Sequence, residues 1–495
     1  MDSTTLKEVK YIPEKPDILT SDTKVQEFKP ENGKKSDTLY LVAIVIGGSM
    51  LAVLSGEAYV WTSAVIPTLK SNNTEENPLG RSITVLELSL LAGLPSLSML
   101  FGALIHGYVS EKIGRKRTLQ LAGIGIVSSA ISIAFSKKII LMIIIRCIWF
   151  FFFMGGLTVY PIYVTEICED HNRARYGCLY SAFLPVGNLL GYSLGSLFSF
   201  RDFTLIGTLP FLIFLFFFFF APESPVYTLS QCKKDKCIRT LRKLRNNKTE
   251  KEIHEDFIKM EATIKANASG KKPNILSLFE TKERRYSLML GSTLVSLHMF
   301  CGIGIILPFM EPIFLAAGTK FDSSSMPIYV AAVKIISFLL TSLVIEKAGK
   351  RLMLLISSIG IGVPLFVLGL FFHLKAVDSP FILQLQWLPL VCIISYIIFF
   401  SLGVGPVPGA IIGEFFTSDL RAAGLSVAMT FLGILSFLSS FTFPIIVEKF
   451  GMQWCMWLYS SFCVFGAIFI YLFIPETKGK TLIEIQDYIK SRCQK

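Results

Sequence analysis

Long apolar runs broken by short polar knots set the rhythm of this chain, and their lengths match what a membrane demands. Crossing a hydrocarbon core takes about 20 consecutive apolar residues. On that measure the pattern predicts helices near 39–66, 86–109, 117–136, 139–165, 176–198, 203–221, 286–315, 326–346, 351–373, 386–413, 423–447 and 453–474. Six precede and six follow 222–285, a stretch rich in Lys, Arg and Glu with no run long enough to span. That stretch reads as a surface loop of short amphipathic helices. The expected organisation is a tail 1–38, a six-helix bundle 39–221, a helical loop 222–285, a second six-helix bundle 286–474 and a tail 475–495. This is an all-α membrane protein with twelve transmembrane helices. The run Phe211 to Phe220 reads as lipid-facing bulk.

Two of the knots say the same thing. GYVSEKIGRKR, Gly107 to Arg117, joins its flanking helices by so few residues that the chain must leave and re-enter on one side. IEKAGKR, Ile345 to Arg351, repeats its acid, base, x, Gly, base order about 235 residues later. The repetition suggests two related, pseudo-symmetric halves, as many carriers are built.

Composition agrees: 52% hydrophobic, 17% charged and a mean hydropathy of +0.57 are far too apolar for an ordinary soluble domain. The net charge of +12 invites a nucleic-acid reading, but the basic residues sit in loops, where the positive-inside bias accounts for them. Of 48 Lys and Arg, 38 fall on the side of the tails and central loop, 8 on the other side and 2 inside apolar runs. Both termini are therefore expected in the cytoplasm, with no nucleic-acid partner. Met1 to Asp37 is polar throughout, so no cleavable signal is expected and the first run should stay as a membrane helix. Asn72-Asn73-Thr74 lies in an outer loop, making Asn72 a candidate glycan acceptor. Ten cysteines without CxxC and five isolated histidines without an HxxxH pattern leave no metal site, cofactor or enzymatic centre to expect.

Charges within hydrocarbon cost roughly 2.5 to 3.5 kcal/mol each on insertion scales, so those that persist usually face a cavity or a partner. Glu57, Arg146, His298, Glu311 and Lys334 are the candidates. Counting ~1.5 Å per residue, His298 and Lys334 both fall ~18 Å deep, near the midplane. The alternative for these two is a structural hydrogen bond or snorkelling. A second constellation is Glu166 followed by Arg173, matched by Glu414 and Arg421 at the same seven-residue spacing. With Glu111, Arg115, Glu346 and Lys350 they give each half a charged cluster at its inner mouth. Such clusters can pair in one state and separate in another.

These residues resemble the sugar porters of the major facilitator superfamily, most nearly the facilitated trehalose transporters. GYVSEKIGRKR looks like that family's GxxxDRxGRR signature, and Arg146 stands where the family places its helix 4 Arg. YVTEICEDHNR (163–173) resembles the YxxEI…R element. PESP (222–225) and PETKG (475–479) resemble the sequences that close each half, and GVGPVP (403–408) leading to Glu414 resembles the helix 10 element. The likeness covers roughly 39–485. It implies the major facilitator fold, facilitated sugar transport by alternating access, and a plasma-membrane carrier for which a monomer suffices.

The family's sugar-binding positions are altered. Its helix 5 glutamine falls on Ser181, its paired helix 7 glutamines on His298 and Met299, and its next asparagine on Gly304. Its helix 10 tryptophan falls on Gly409 and its helix 11 asparagine on Leu432. A desolvated sugar needs several polar partners, so a different small solute, or a non-transporting sensor, stays open beside the sugar reading. Ser181, Asn188 and Tyr192 share one face of helix 5. With His298 and Lys334 they are expected to line the cavity, where the Lys334 cation would favour an anionic or strongly accepting solute. The Asp that proton-coupled members set against the helix 4 Arg falls on Thr62, which implies uniport. Glu57 is the residue that would overturn this if coupling were found.

Overall fold

Helix boundaries follow the hydropathy closely, with differences where glycine and proline interrupt the backbone. The computed structural model describes residues 37–169, 171–269, 275–417, 420–480 and 482–494, a few side chains excepted, those of 342–347, 421 and 422 among them. The expected tail therefore falls outside the described residues up to position 36.

The first half runs α1 (Leu39–Lys70), α2 (Val85–Ile113), α3 (Arg115–Ala134), α4 (Ile139–Ile167), α5 (Arg173–Leu197), α6 (Phe200–Ile206) and α7 (Pro210–Phe220). Short helices α8 (Pro225–Ser230), α9 (Lys234–Leu244) and α10 (Glu250–Ser269) follow. The second half holds α11 (Lys282–Phe300), α12 (Ile303–Ile306), α13 (Met310–Ala317), α14 (Met326–Ala348), α15 (Lys350–Ala376), α16 (Leu388–Leu402), α17 (Val407–Ile412), α18 (Arg421–Phe450) and α19 (Met452–Phe473), then α20 (Leu482–Gln494). Among the described residues ten helical segments are long and apolar enough to cross a membrane, and Met326–Thr341 is a shorter apolar one.

Within the first half α1 packs on α5, α7 and α4, and α4 also packs on α2 and α3. Within the second, α15 packs on α19 and α16, α14 on α16, and α11 on α18. Contacts between the halves run through α2 with α18, α5 with α14, and α1 with α13. The α1–α5 approach is set by glycine: a Cβ on Gly56 would lie 2.2 Å from Leu184 O, and one on Gly187 2.1 Å from Val53 O. Small residues let membrane helices meet backbone to backbone, where dispersion replaces the missing hydrophobic drive.

Three expected rods are interrupted. The seventh breaks at Gly302, which takes φ +100°, and again before Pro308. The tenth breaks across Gly403–Pro406 and the sixth around Gly207. Proline removes a donor and clashes with the preceding turn, and hydropathy does not register either event. The phenylalanine run also departs from expectation. Phe211, Phe214 and Phe218 are buried on one face, with Phe214 and Phe218 stacked at 4.4 Å, while Phe216, Phe219 and Phe220 are exposed.

Candidate functional site

The interrupted helices leave carbonyl groups without helical partners within the spanning segments, and side chains satisfy them. Tyr192 of α5 donates its hydroxyl to Leu307 O at 2.7 Å. Ser440 donates to Gly304 O at 3.2 Å. His298 Nδ1 lies 2.8 Å from Val404 O, with Phe400 against the ring at 5.6 Å. A carbonyl only accepts, so Nδ1 carries a proton.

Lys334 comes from α14 and meets α5: its ammonium donates to Asn188 Oδ1 at 2.8 Å. Asn188 is buried and passes the contact on, donating Nδ2 to Gly56 O at 2.8 Å. Among the described residues no carboxylate lies within salt-bridge distance of Lys334. The other cavity candidates differ in surroundings. Ser181 and Gly409 are exposed, and a Cβ built on Gly409 would meet nothing within 4 Å. One on Gly304 would make only ordinary contacts, with Ser439 Oγ at 3.7 Å and Met299 Sδ at 3.9 Å. Met299 is buried and Leu432 half-buried.

Arg146 is buried and holds neutral partners. Nη1 donates to Ala58 O at 3.1 Å and Nη2 to Thr62 Oγ1 at 2.9 Å. Trp61 and Phe150 present ring faces 4.7 Å from the guanidinium carbon. Such faces attract a desolvated cation. Glu57 is buried one helical step away; its Oε1 has no hydrogen-bond partner and faces the Gly207 backbone. Glu311 opens α13, and its backbone amide donates to Ser63 Oγ of α1 at 2.9 Å.

At the end carrying the two repeated knots, the charged residues pair within each half. Arg115 grips Glu166 through Nε at 3.1 Å to Oε2 and Nη2 at 3.1 Å to Oε1. Lys350 pairs with Glu414 in the corresponding place. Arg173 donates Nε to Thr165 O at 3.2 Å, and Glu111 is exposed. The side chains of Glu346 and Arg421 lie outside the described residues.

Two acids that the motifs contained, but whose role the sequence did not disclose, complete these clusters. Glu223 accepts the amide of Lys116 at 3.0 Å, and Glu476 the amides of Lys350 and Arg351 at 3.2 and 3.3 Å. Each carboxylate sits at a helix N-terminus, where the first amides are unpartnered and the dipole favours an anion. Gly114 and Gly349 precede those helices at φ +101° and +87°. Lys116 then donates to Phe219 O and Ala221 O at the end of α7, as Arg351 donates to Tyr471 O at the end of α19. The visible signal was the shared Gly-base-base followed at a distance by Pro-Glu in both halves.

A family model described as "Sugar (and other) transporter" matches residues 38–488. The chain belongs to this family of sugar transporters. The transporter is 27% identical over 485 residues to a facilitated trehalose transporter Tret1-2 homolog of Drosophila simulans, covering 96% of both chains. It is 28% identical over 464 residues to the facilitated trehalose transporter Tret1 of Drosophila pseudoobscura pseudoobscura, covering 92% of this chain and 52% of that longer one. Among solved structures it resembles the xylose transporter XylE from E. coli in an inward-open conformation, with a TM-score of 0.75 and 20% identity over 91% of this chain and 100% of that one. At that identity the likeness bears on the fold, which is the multi-pass, all-α major facilitator fold. The twelve expected spans thus belong to a membrane carrier, with the duplicated acid–base clusters at corresponding places in its two halves.

Proposed function

We propose that this transporter carries a small sugar or polyol, of the trehalose or hexose kind, by facilitated diffusion. The two six-helix bundles, 39–221 and 286–474, would rock about a midplane hollow that opens alternately to either side of the plasma membrane. The observation that carries this reading is the distribution of contacts between the halves. Among the described residues four side-chain hydrogen bonds cross from one half to the other: Ser63 with the Glu311 amide, Asn188 with Lys334, Tyr192 with Leu307 O, and Ser436 with Ser96 at 3.1 Å. Ser181 and Gly409, nearer the basic end, are exposed. This fits a hollow closed on the outer side and open toward the cytoplasm. Arg146 donating its hydrogen bonds to the neutral Ala58 O and Thr62 Oγ1 fits uniport, and buried Glu57 beside it is the acid whose substitution tests that reading.

Arg115 with Glu166, Lys350 with Glu414, and Arg173, Glu111, Glu346 and Arg421 around them form the proposed inner gate. Both termini and the loop 222–285 would then be cytoplasmic, and exposed Asn72, in the loop after α1, would carry glycan. An Asn72→Gln variant that ran unchanged on a gel would remove that assignment.

Uptake of radiolabelled trehalose, hexoses, polyols and organic anions into proteoliposomes, with and without a pH gradient, tests the reading. Saturable sugar uptake indifferent to the gradient supports it; a gradient-driven uptake abolished by Glu57→Gln refutes the uniport half. A second reading, carriage of an anionic solute, is favoured by Lys334, whose charge meets an amide oxygen and no acid. Unchanged selectivity in Lys334→Gln would remove it.

A further inference from the structure

The positive-inside bias accounts for the number of cations in the central loop but not for their convergence on one concavity. A cavity of about 850 Å3 lies between the start of α9 and the segment that follows α7. Five cations line it, Lys233, Lys234, Lys236, Arg239 and Lys243, against two acids, Glu223 and Asp235. Lys236, Arg239 and Lys243 recur at i, i+3 and i+7, so they share one face of α9. The opposite face is anchored by buried Cys237, Leu241 and Leu244.

The pairing of these charges is uneven. Lys234 binds Glu261 at 3.0 Å, and neighbouring Arg242, outside the cavity lining, binds Glu250 at 2.7 Å. Among the described residues Lys233, Lys236, Arg239 and Lys243 have no acid within salt-bridge distance. Glu223 is already committed to the amides of Lys116 and Ser224, both at 3.0 Å. Like charges at helical spacing repel unless something anionic lies among them. Lys233 is the N-cap of α9 and makes no side-chain cap, leaving the first amides of that helix on the same side.

The cavity also adjoins an exposed apolar surface. Pro222 in its wall is two residues beyond Phe220, a reach of at most about 7 Å, and Phe219 and Phe220 are exposed at 75% and 59%. Lys116 ties this corner together by donating to Phe219 O and Ala221 O.

We propose that this cavity binds the phosphorylated headgroup of an anionic lipid in the cytoplasmic leaflet. The four unpaired cations receive the phosphate oxygens, and the acyl chains lie along the exposed phenylalanines at the end of α7. The proposal goes beyond transport and rests only on the basic face being cytoplasmic.

The test uses the purified full-length protein and its binding of dioctanoyl phosphatidylinositol 4,5-bisphosphate by thermophoresis. Dioctanoyl phosphatidylcholine and free inositol 1,4,5-trisphosphate are the comparison ligands. One variant combines Lys233→Gln, Lys236→Gln, Arg239→Gln and Lys243→Gln; a charge control combines Arg242→Gln and Lys251→Gln, both outside the cavity lining. All six positions are exposed, and size-exclusion profiles check that each variant is folded. The parent should bind the phosphoinositide at least tenfold more tightly than either comparison ligand. The quadruple variant should lose at least tenfold, and the control less than threefold. Equal binding by parent and quadruple variant, an equal loss in the control, or free inositol trisphosphate binding as tightly as the lipid would each overturn the proposal.

Discussion

Replacing Gly114 by Ala probes the device that closes each half, and its cost can be worked from the geometry. Gly114 takes φ +101° and ψ 159°, a region that side chains make strained by about 1–3 kcal/mol. The added Cβ would lie 2.3 Å from Glu223 Oε2 and 2.7 Å from its Cδ, so the carboxylate must withdraw. Withdrawal removes a charge-assisted bond to the Lys116 amide, about 1.5–3 kcal/mol. Together the loss is about 2.5–6 kcal/mol, enough to lower the midpoint of thermal unfolding visibly in purified protein. At Gly349 the equivalent contact with Glu476 Oε2 is 2.9 Å. A shift of a few tenths of an ångström relieves it, so Gly349→Ala should be the milder change. Glu223→Ala beforehand should make Gly114→Ala cheaper, because the carboxylate part of the penalty has gone. Parent-like stability in Gly114→Ala, or full additivity in the double variant, would refute the reasoning.

Three more outcomes can be measured. Glu166→Gln breaks an ion pair whose side chains are 14% and 13% exposed, so its effect should fall between the ~1 kcal/mol of surface pairs and the ~3–5 of fully buried ones; it should slow uptake, and the exchange Arg115→Glu with Glu166→Arg should restore part of the rate. Thr62→Val takes the acceptor from Arg146 Nη2 and should cost about 1.5–3 kcal/mol in thermal stability, whereas Thr62→Ser should stay near the parent. Hydrogen bonds from Ser324 and Ser325 hold the Asp322 carboxyl below the usual carboxylate range. Its stabilisation of the loop before α14 is therefore complete above the unfolded value near 4 and fades as pH falls through the lowered one. Acid-side loosening of that loop, read by proteolysis, should be absent in Asp322→Asn.

Hydropathy disclosed the spans because a membrane helix is defined by its side chains against lipid. It could not disclose the breaks before Pro308 and across Gly403–Pro406, which are backbone events inside apolar sequence, yet those breaks supply the carbonyls that Tyr192 and His298 bind. The acid–base duplication was legible as a pattern, but not the partners. Seven-residue spacing coupled Glu166 to Arg173 in the pattern, whereas the carboxylate goes to Arg115, whose guanidinium reaches across from α3. Glu223 and Glu476 were visible only as punctuation, since capping a helix more than a hundred residues away is a tertiary relation. In the phenylalanine run, uniform residues hid an ordinary two-faced helix: with nothing polar to mark the outer side, periodicity carries no signal.

The four links between the halves have a consequence for how easily the carrier turns over. Three join neutral groups, each worth a net ~0.5–1.5 kcal/mol, and one involves the Lys334 cation, worth ~1.5–3 kcal/mol. Their total is of the same size as the ~4 kcal/mol with which a solute of millimolar affinity is held. A latch of that strength needs no fuel: a cargo gripped more firmly by that margin in the other state is enough to tip it, and releasing the cargo lets it fall shut again.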